Sequence, residues 1–311
     1  MRIFVTGATG LVGRALVPEL LQNGHEVIGL ARNDANRAML HAMHVSAYPS
    51  QGHDVDGLTE ALRGVHAIIH LATALPTSDS ATEDEWAYSS RVTVGLLRNL
   101  LEASERTGVR VVVFPSFYGV YGDHGNEWVT EETPLSPDQA SQAFAEAERI
   151  LSESTAARRS SGVVLRMGLV YAPDGIHTRG LLYALKRGQA PITRSAQMFW
   201  PQLHVRDAAQ AIRLAVEHAP VGEAFNICDD EPVRQAQLYR DLAEWIGGPP
   251  PPSKATSELR SYLGSINLTS LYSSVRMSNR KAKQVLGFAP HYPTYREGYQ
   301  AVIHQLAQAD R

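Results

Sequence analysis

Short apolar runs alternate with amphipathic stretches along the first 115 residues of the chain. The apolar runs are rich in Val, Ile and Leu, as buried strands are, and they predict strands at residues 3–5, 26–31, 45–48, 65–72 and 109–115. The intervening stretches carry apolar residues at helical spacing, most clearly at residues 11–21 and 83–107. This alternation of strand and helix favours a parallel sheet with helices on both faces.

The alternation continues through the second half with helices predicted at 137–160 and 205–218 and strands at 162–168 and 224–228. The predicted fold is therefore α/β, a doubly wound parallel sheet of the Rossmann type formed by residues 1–171 plus 204–228. The remaining segments, 172–203 plus 229–311, are interrupted by four prolines at 249–252, which act as a stiff linker. They are predicted to form a smaller C-terminal lobe that supplies substrate contacts.

A glycine-rich turn joins the first predicted strand to the first helix. Gly7 permits a tight turn, Gly10 lets the backbone approach a pyrophosphate, and Gly13 lets the helix lie close to the sheet. The free N–H groups at the helix start, near Leu11 and Val12, are expected to face the phosphates, with the helix dipole adding attraction. Strand, glycine turn and helix together predict a dinucleotide site.

Charge and cysteine content narrow the class of protein. A net charge of −3 gives no electrostatic reason to expect a nucleic acid or an anionic membrane as partner. No apolar run approaches the ~20 residues of a membrane span, and no signal peptide fits the N-terminus. The single cysteine, Cys228, fits a reducing compartment, so we expect a cytoplasmic protein. No metal site is expected, since His66 and His70 would lie about 13 Å apart along a strand.

Several segments resemble the extended and atypical short-chain dehydrogenase/reductases, that is, the NAD-dependent epimerase/dehydratase superfamily. They are VTGATGLVG at 5–13, HLAT at 70–73, LRMGLVY at 165–171 and HVRDAA at 204–209. The resemblance runs over almost the full length. It implies further cofactor contacts from the loops that follow the strands, at Thr9, Asp54, Val55, Leu71, Ala72, Thr73, Pro115 and Met167.

The residue after the second strand selects the form of the cofactor. An acidic residue there would bind the ribose 2′-hydroxyl of NAD, but this chain has Arg32. A guanidinium makes charge-assisted hydrogen bonds to a phosphate, so NADP(H) is predicted. Arg14 and Arg37 are weaker candidates for the same phosphate.

The family's catalytic residues are missing. The resemblance implies a serine at position 117, a tyrosine at 140, a lysine at 144 and an asparagine at 93. This chain instead has Phe117, Ala140, Phe144 and Thr93. The three central replacements cannot transfer a proton. Ser116 and Tyr118 adjoin the serine position, but neighbouring side chains of a strand point to opposite faces.

The replacements predict an apolar pocket for a large, flat substrate. Its predicted wall is Ser116, Phe117, Tyr118, Ala140, Phe144, Met198, Phe199 and Trp200. The chain resembles the atypical reductases of aromatic polyketide biosynthesis that lack the Tyr/Lys pair. The resemblance implies an NADPH-dependent ketoreductase acting on a polycyclic aromatic ketone, as a monomer or homodimer, with the proton supplied by a substrate phenol or water. A non-catalytic NADP(H)-binding regulator and a nucleotide-sugar epimerase or dehydratase remain alternatives.

Overall fold

A computed structural model describes residues 1–74, 82–193, 198–254 and 273–309 of the chain. Parts of the predicted C-terminal lobe (194–197, 255–272 and 310–311) lie outside the described residues. The strands are β1 Arg2–Thr6, β2 Glu26–Ala31, β3 Ser46–Pro49, β4 Ala67–His70, β5 Val111–Phe117, β6 Trp128–Val129, β7 Ser161–Met167, β8 Leu169–Tyr171, β9 Ile192–Thr193, β10 Phe199–Trp200, β11 Gln202–His204, β12 Ala224–Ile227, β13 Val233–Arg234, β14 Ser253–Lys254 and β15 Arg276–Met277.

Seven of these strands form one parallel sheet in the order β12-β7-β5-β4-β1-β2-β3. The central strand β1 pairs with β2 on one side, Ile3 opposite Val27, and with β4 on the other, Ile3 opposite Ala67. Strand order therefore reverses between β1 and β4, which opens a crevice at the carboxyl ends of these two strands. The predicted doubly wound parallel fold is confirmed.

Helices cover both faces of the sheet. They are α1 Leu11–Gln22, α2 Asp34–Ala42, α3 Val55–Ala61, α4 Glu83–Ser90, α5 Leu96–Thr107, α6 Gln142–Ala156, α7 Ile176–Lys186, α8 Val205–His218, α9 Gln235–Trp245, α10 Arg280–Leu286 and α11 Tyr295–Ala309. Side chains of β1 alternate between the two layers: Ile3 and Val5 pack in the core containing α1 and α8, and Phe4 in the core containing α3, α5 and α6. Successive strand residues face opposite sides of the sheet, so each β1 residue contributes to one core only.

Two helix predictions differ from the structure. The long helix predicted over 83–107 contains a π-helical turn, Arg91–Gly95, between α4 and α5. The helix predicted from residue 137 begins only at Gln142, because the backbone carbonyl of Asp138 accepts the N–H groups of Ser141 and Gln142 in a preceding turn. Strand β5 runs on to Phe117, two residues further than predicted.

A third cluster of buried side chains lies outside the two sheet cores. It joins α7, α9 and α11 and includes Tyr171, Leu182, Trp200, Leu238 and Tyr299. Most of its members belong to the segments predicted as the second lobe. Among the described helices, none is long and apolar enough to cross a membrane.

Candidate active site

A cavity of about 530 Å³ lies at the carboxyl ends of β1, β2, β4, β5 and β7. It follows from the fold, because the loops after these strands meet at the point where strand order reverses. Twelve residues predicted to bind cofactor line it: Gly7, Thr9, Gly10, Leu11, Val12, Gly13, Arg32, Leu71, Ala72, Thr73, Pro115 and Met167. The structure thus brings together residues that are up to 160 positions apart in sequence.

The glycine turn has the shape that a bound pyrophosphate requires. Gly7 has φ +73°, and a Cβ there would lie 2.7 Å from the carbonyl carbon of Leu71. A Cβ on Gly13 would overlap the carbonyl oxygen of Gly7, so helix α1 could not lie so close to the turn. Among the described residues, a Cβ on Gly10 would meet only that same oxygen, at 3.2 Å. The outer side of Gly10 is otherwise open in this part of the chain, and no described side chain caps α1, whose first amides are therefore available to an anion.

A buried histidine fixes the loop after β4 against this turn. The imidazole Nδ1 of His70 lies 2.7 Å from the Thr6 hydroxyl, and Nε2 lies 2.9 Å from the carbonyl oxygen of Thr93. Since a carbonyl only accepts, Nε2 carries the hydrogen and Nδ1 accepts from Thr6. The Thr6 hydroxyl in turn accepts the N–H of Ala72 at 3.3 Å. Burial lowers the pKa of His70 to about 4, so the ring is neutral at physiological pH.

Thr93, which stands at the family's asparagine position, therefore contributes through its backbone. Its side chain is buried, does not line the cavity, and its hydroxyl has no hydrogen-bond partner in the described part of the chain. The structure gives it a positioning role rather than a place at the reacting atoms.

One end of the cavity is polar and cationic. Arg32 Nη1 donates to the hydroxyl of Tyr88 at 3.2 Å, and the Arg91 guanidinium lies 5.8 Å from the centre of the Tyr88 ring. The described lining of the whole cavity contains these two arginines and no aspartate or glutamate. The lining residues at this end that the sequence did not indicate are Asn36, Gln51, His53, Tyr88 and Arg91. Tyr88, Arg91 and Val92 are spaced three and four residues apart, as on one helical face, and this spacing was the signal that could have found the last two.

Four residues assigned to the cofactor are placed elsewhere. Asp54 caps α3, with its carboxylate accepting the N–H of Asp56 at 3.1 Å, so neither it nor Val55 reaches the cavity. Arg14 pairs with Asp174 at 2.7 Å, and Arg37 pairs with Asp34 at 3.0 Å. Both guanidiniums are thus engaged outside the cavity lining.

The opposite end of the cavity is apolar. Phe117 and Phe144 both line it, with ring centres 6.0 Å apart at an angle of 48°. Pro115, Met167 and Val170 complete this wall. The two phenylalanines stand where the family resemblance implies a serine and a lysine, so an aromatic surface replaces two polar side chains.

A buried ionic network lies beneath the apolar end. Ser116 lines the cavity, but its hydroxyl donates to one carboxylate oxygen of Glu148. The other oxygen accepts from Arg166 Nε at 3.0 Å and Nη2 at 2.9 Å. Burial opposes the charge of Arg166, but the Glu148 carboxylate and the Tyr121 hydroxyl raise its pKa. The network fixes α6 against β5 and β7, and it places Phe144, one turn before Glu148, at the cavity.

Five residues predicted for the substrate wall do not line this cavity. Tyr118 is buried in the sheet core, where burial raises its pKa well above the usual value, and Ala140 lies in the turn before α6. Met198 and Trp200 pack inside the third core, because β10 pairs with β13 there. The Phe199 ring is buried with the guanidinium of Arg234 over it, 4.5 Å from the ring centre. The substrate wall predicted from sequence is therefore corrected to Ser116, Phe117 and Phe144 within this cavity.

No group of three or more metal-ligating side chains occurs within the ranges that the structure describes. His66 and His70 have different partners. His66 Nδ1 accepts the N–H of Arg2, and the buried His70 accepts the hydroxyl hydrogen of Thr6. These histidines hold backbone segments in place.

Two proteins of known function are similar to this chain in sequence. A 3-diazoavenalumate denitrifying reductase from a Streptomyces species is 30% identical over 96% of this chain and 99% of its own length. A decarboxylating sterol-4-alpha-carboxylate 3-dehydrogenase from Dictyostelium discoideum is 29% identical over 77% of this chain and 74% of its own length.

Solved structures share the fold. A UDP-glucose 4-epimerase from Thermotoga maritima superposes with a TM-score of 0.82 at 23% identity over 100% of both chains. A dTDP-glucose 4,6-dehydratase from Streptomyces venezuelae, solved with NAD, gives 0.81 at 21% identity over 99% of this chain and 97% of its own. The family model for the NAD dependent epimerase/dehydratase family matches residues 3–228, which include the whole glycine turn and all the other described residues that line the cavity. The chain therefore belongs to the NAD-dependent epimerase/dehydratase family, and it is similar to a reductase over nearly its full length.

Proposed function

We propose that this protein is an NADPH-dependent reductase that transfers hydride to a flat aromatic substrate, a ketone on a polycyclic ring system. The observation that carries the proposal is the pair Phe117 and Phe144 on the cavity wall, at positions where the family resemblance implies a serine and a lysine. An aromatic wall binds a flat apolar ring by stacking and excludes water from it.

The cavity suits a dinucleotide at its other end. Gly7, Gly10 and Gly13 would hold the pyrophosphate against the first turn of α1, with Gly10 presenting an open backbone face. Arg32 would bind the 2′-phosphate, and no carboxylate in the described lining would repel it. The bound dihydronicotinamide would supply the hydride. Met167 and Pro115 lie on the wall where the family resemblance implies contacts with the cofactor, with the segment of Met167 flanking the nicotinamide.

The proton is assigned to the substrate rather than to water, which an aromatic wall excludes. At the apolar end, the described lining residues are Pro115, Ser116, Phe117, Phe144, Met167, Gly168 and Val170. Ser116 is the one member of this set with a hydroxyl, and it donates its hydrogen to Glu148. A phenol next to the ketone would be placed for transfer before reaction, so it would carry little entropic cost. The enzyme then has to hold the ring and exclude water.

A second candidate is reductive removal of a diazo group, favoured by the full-length similarity to the Streptomyces reductase. Hydride added to the terminal nitrogen of an arenediazonium gives an aryl diazene. When this diazene loses N₂, its N–H and C–N bonds break and the hydrogen passes to the ring carbon, so the cation and one hydride become the arene and N₂. No proton is required from the protein, which fits the apolar wall as well as the ketone does.

Two further alternatives have less support. Epimerisation and dehydration of nucleotide sugars need an acid/base residue, whereas the positions of the family's Tyr/Lys pair hold Ala140 and Phe144. A regulator that only binds NADP(H) would also keep the glycine turn and Arg32. The family and its relatives indicate an enzyme, so catalysis is the stronger reading.

One experiment separates these functions. The protein is incubated with NADPH carrying deuterium on the transferable C4 position and, in separate reactions, with a hydroxy-substituted aromatic ketone or a hydroxy-substituted arenediazonium. Deuterium on the carbinol carbon supports the ketoreductase. Deuterium on a ring carbon with release of N₂ above an enzyme-free control supports the second candidate and overturns the first. NADPH binding without transfer to any member of a broad panel would contradict both and favour the regulator.

A further inference from the structure

Three hydrogen-bond donors, one from the loop after β2 and two from the helical stretch that begins with α4, lie at the cationic end of the cavity. Arg32 follows β2, Tyr88 lies in the last turn of α4, and Arg91 begins the π-helical turn. Arg32 Nη1 donates to the Tyr88 hydroxyl at 3.2 Å, and the Arg91 guanidinium lies 5.8 Å from the Tyr88 ring centre. All three residues line the cavity.

The hydrogen bond between Arg32 and Tyr88 leaves the tyrosine as a donor. The phenolic oxygen accepts from the guanidinium, so the O–H hydrogen remains available to an acceptor in the cavity. The neighbouring cation polarises this O–H and strengthens its bond to an anion. Tyr88 is 46% exposed, so its hydroxyl is accessible to a ligand.

Neither guanidinium forms an ion pair within the described ranges. The contrast with nearby arginines is informative, because Arg37 on α2 pairs with Asp34, and Arg98 on α5 pairs with Glu146 at 3.0 Å. Arg32 and Arg91 face a cavity whose described lining lacks carboxylates. Two such cations held near each other repel, and an anion bound between them would relieve the repulsion.

The helix geometry directs Arg91 to this place. A π-helical turn interrupts the helical stretch over Arg91–Gly95, and such turns are frequent at functional sites. Helix residues on both sides of its start, Tyr88 and Val92, line the same cavity. Leu96 packs near Gly52 of the loop after β3, which also provides Gln51 to the lining. The helical stretch therefore borders the adenosine end of the site.

We propose that Tyr88 and Arg91 complete, with Arg32, a binding site for the 2′-phosphate of the cofactor's adenosine ribose. This inference rests on the proposed NADPH dependence and adds two specificity-determining residues from the helix that faces β2. A tetrahedral dianion bound here accepts hydrogen bonds from both guanidiniums and from the Tyr88 hydroxyl. NADH, which has a ribose hydroxyl instead, gains little from Arg91.

The test compares ligands that differ only in this phosphate. Calorimetric titrations with 2′,5′-ADP and 5′-AMP, and with NADPH and NADH, are made on the full chain and on Arg91→Gln, Arg91→Lys and Tyr88→Phe. Arg91→Gln should weaken 2′,5′-ADP and NADPH about ten- to a hundredfold, as expected for a charged hydrogen bond. Tyr88→Phe should weaken them about two- to tenfold, and Arg91→Lys should restore part of the loss. Affinities for 5′-AMP and NADH should stay within about twofold of wild type.

The matched control is Arg98→Gln, which removes an arginine of the same helical stretch that pairs with Glu146 away from the cavity. It should leave all four affinities unchanged. Unchanged 2′,5′-ADP binding in Arg91→Gln would overturn the inference, as would equal losses for 2′,5′-ADP and 5′-AMP. A wild type that binds both nucleotides equally would overturn the NADPH dependence itself, which is a different result from failure of Arg91 alone.

Discussion

Phe144 lines the cavity and also packs against the sheet core. Its ring lies 6.0 Å from that of Phe117 and 6.3 Å from that of Phe114, so it joins the cavity wall to the sheet core. A lysine at this position would place an ammonium group among these rings, which is costly without a partner. The aromatic wall of the cavity is therefore packed as part of the sheet core, through Phe144.

We expect Ser116→Ala and Tyr118→Phe to keep kcat within about threefold of wild type, since losing a true general acid costs about 10²–10⁴. Ser116 donates its hydrogen to Glu148, and Tyr118 is buried away from the cavity. Ser116→Ala should instead lower the free energy of unfolding by about 1–3 kcal/mol, because a buried carboxylate oxygen loses its donor. Steady-state kinetics and chemical denaturation measure the two effects. A hundredfold fall in kcat for either variant would return the acid's role to the protein.

Arg32→Ala should weaken NADPH about ten- to a hundredfold and NADH by much less, because the proposed ligand of the guanidinium is the extra phosphate, which NADH lacks. The control is Arg37→Ala, which removes an arginine that pairs with Asp34 outside the cavity lining. Fluorescence titration of both cofactors measures the four affinities. Equal wild-type affinities for NADPH and NADH would show that Arg32 does not select the cofactor.

Single residues show where the sequence stopped being informative. Arg32 was predicted because it directly follows a strand whose end is fixed by the fold. The family resemblance implies cofactor contacts at Asp54 and Val55, whereas Gln51 and His53 of the same loop line the cavity. An aspartate in a loop before a helix is also a good N-cap, and capping is what Asp54 does. The sequence pattern does not distinguish these two uses.

At the scale of elements, the turn between β1 and α1 is the most constrained part of the site. Gly10→Val should reduce nucleotide binding below detection while the fold persists, because the branched side chain would fill the open side of the turn where the pyrophosphate would bind. The backbone of Gly10 has φ −75°, which valine adopts without strain. Calorimetry and circular dichroism measure binding and fold.

Gly180→Val provides the comparison for this variant. Gly180 lies in α7 with nothing within 4 Å of an added Cβ, so the same substitution there should leave nucleotide binding intact. If Gly10→Val binds NADPH as the wild type does, the glycines serve the turn alone and the proposed cofactor site is wrong.

Strands and helices with a clear apolar pattern were predicted well. Segments whose place in the fold depends on contacts with residues distant in sequence were not. The bounds of β2 and α8 agree with the prediction, since their apolar spacing and their flanks are unambiguous. The run from Met198 to Trp200 was assigned to the substrate wall, but these residues pack into the third core. An aromatic run fits either place, and its position depends on pairing with β13, which lies more than thirty residues later.

At the scale of the whole molecule, stability should depend on pH through two buried histidines. Burial lowers the pKa values of His70 and His204 to about 4, whereas the unfolded chain titrates near the usual 6.5. The unfolded state therefore binds more protons, and the contribution to stability is fully present above pH 6.5 and is lost as pH falls towards 4. Each histidine contributes at most about 3 kcal/mol over this range.

Denaturation with urea between pH 7 and 4 measures this dependence. His70→Asn should make the fall in the free energy of unfolding shallower, because one titrating group is removed while donor and acceptor atoms remain. His41→Gln is the control, since His41 is exposed on α2 and should leave the slope unchanged. An identical slope in His70→Asn would mean that His70 is not held neutral by burial.

The molecule combines a cationic end and an apolar end in one cavity. Two arginines and no described carboxylate line it near β2, and two phenylalanines line it near β5 and α6. The fold class and the part of the cavity lining formed by the glycine turn followed from the sequence, because both depend on local patterns at strand ends. The aromatic half was predicted only at Phe117 and Phe144, where alignment with the family fixes the positions.

The most direct test of the account is a single-turnover reaction with C4-deuterated NADPH and two matched substrates, an aromatic ketone with a neighbouring hydroxyl and its methyl ether. The account predicts deuterium on the carbinol carbon of the hydroxy ketone, whereas the ether should bind with similar affinity and remain unreduced, since it has no proton to give. Reduction of the ether at the full rate, or failure to transfer deuterium to the hydroxy ketone, would contradict it.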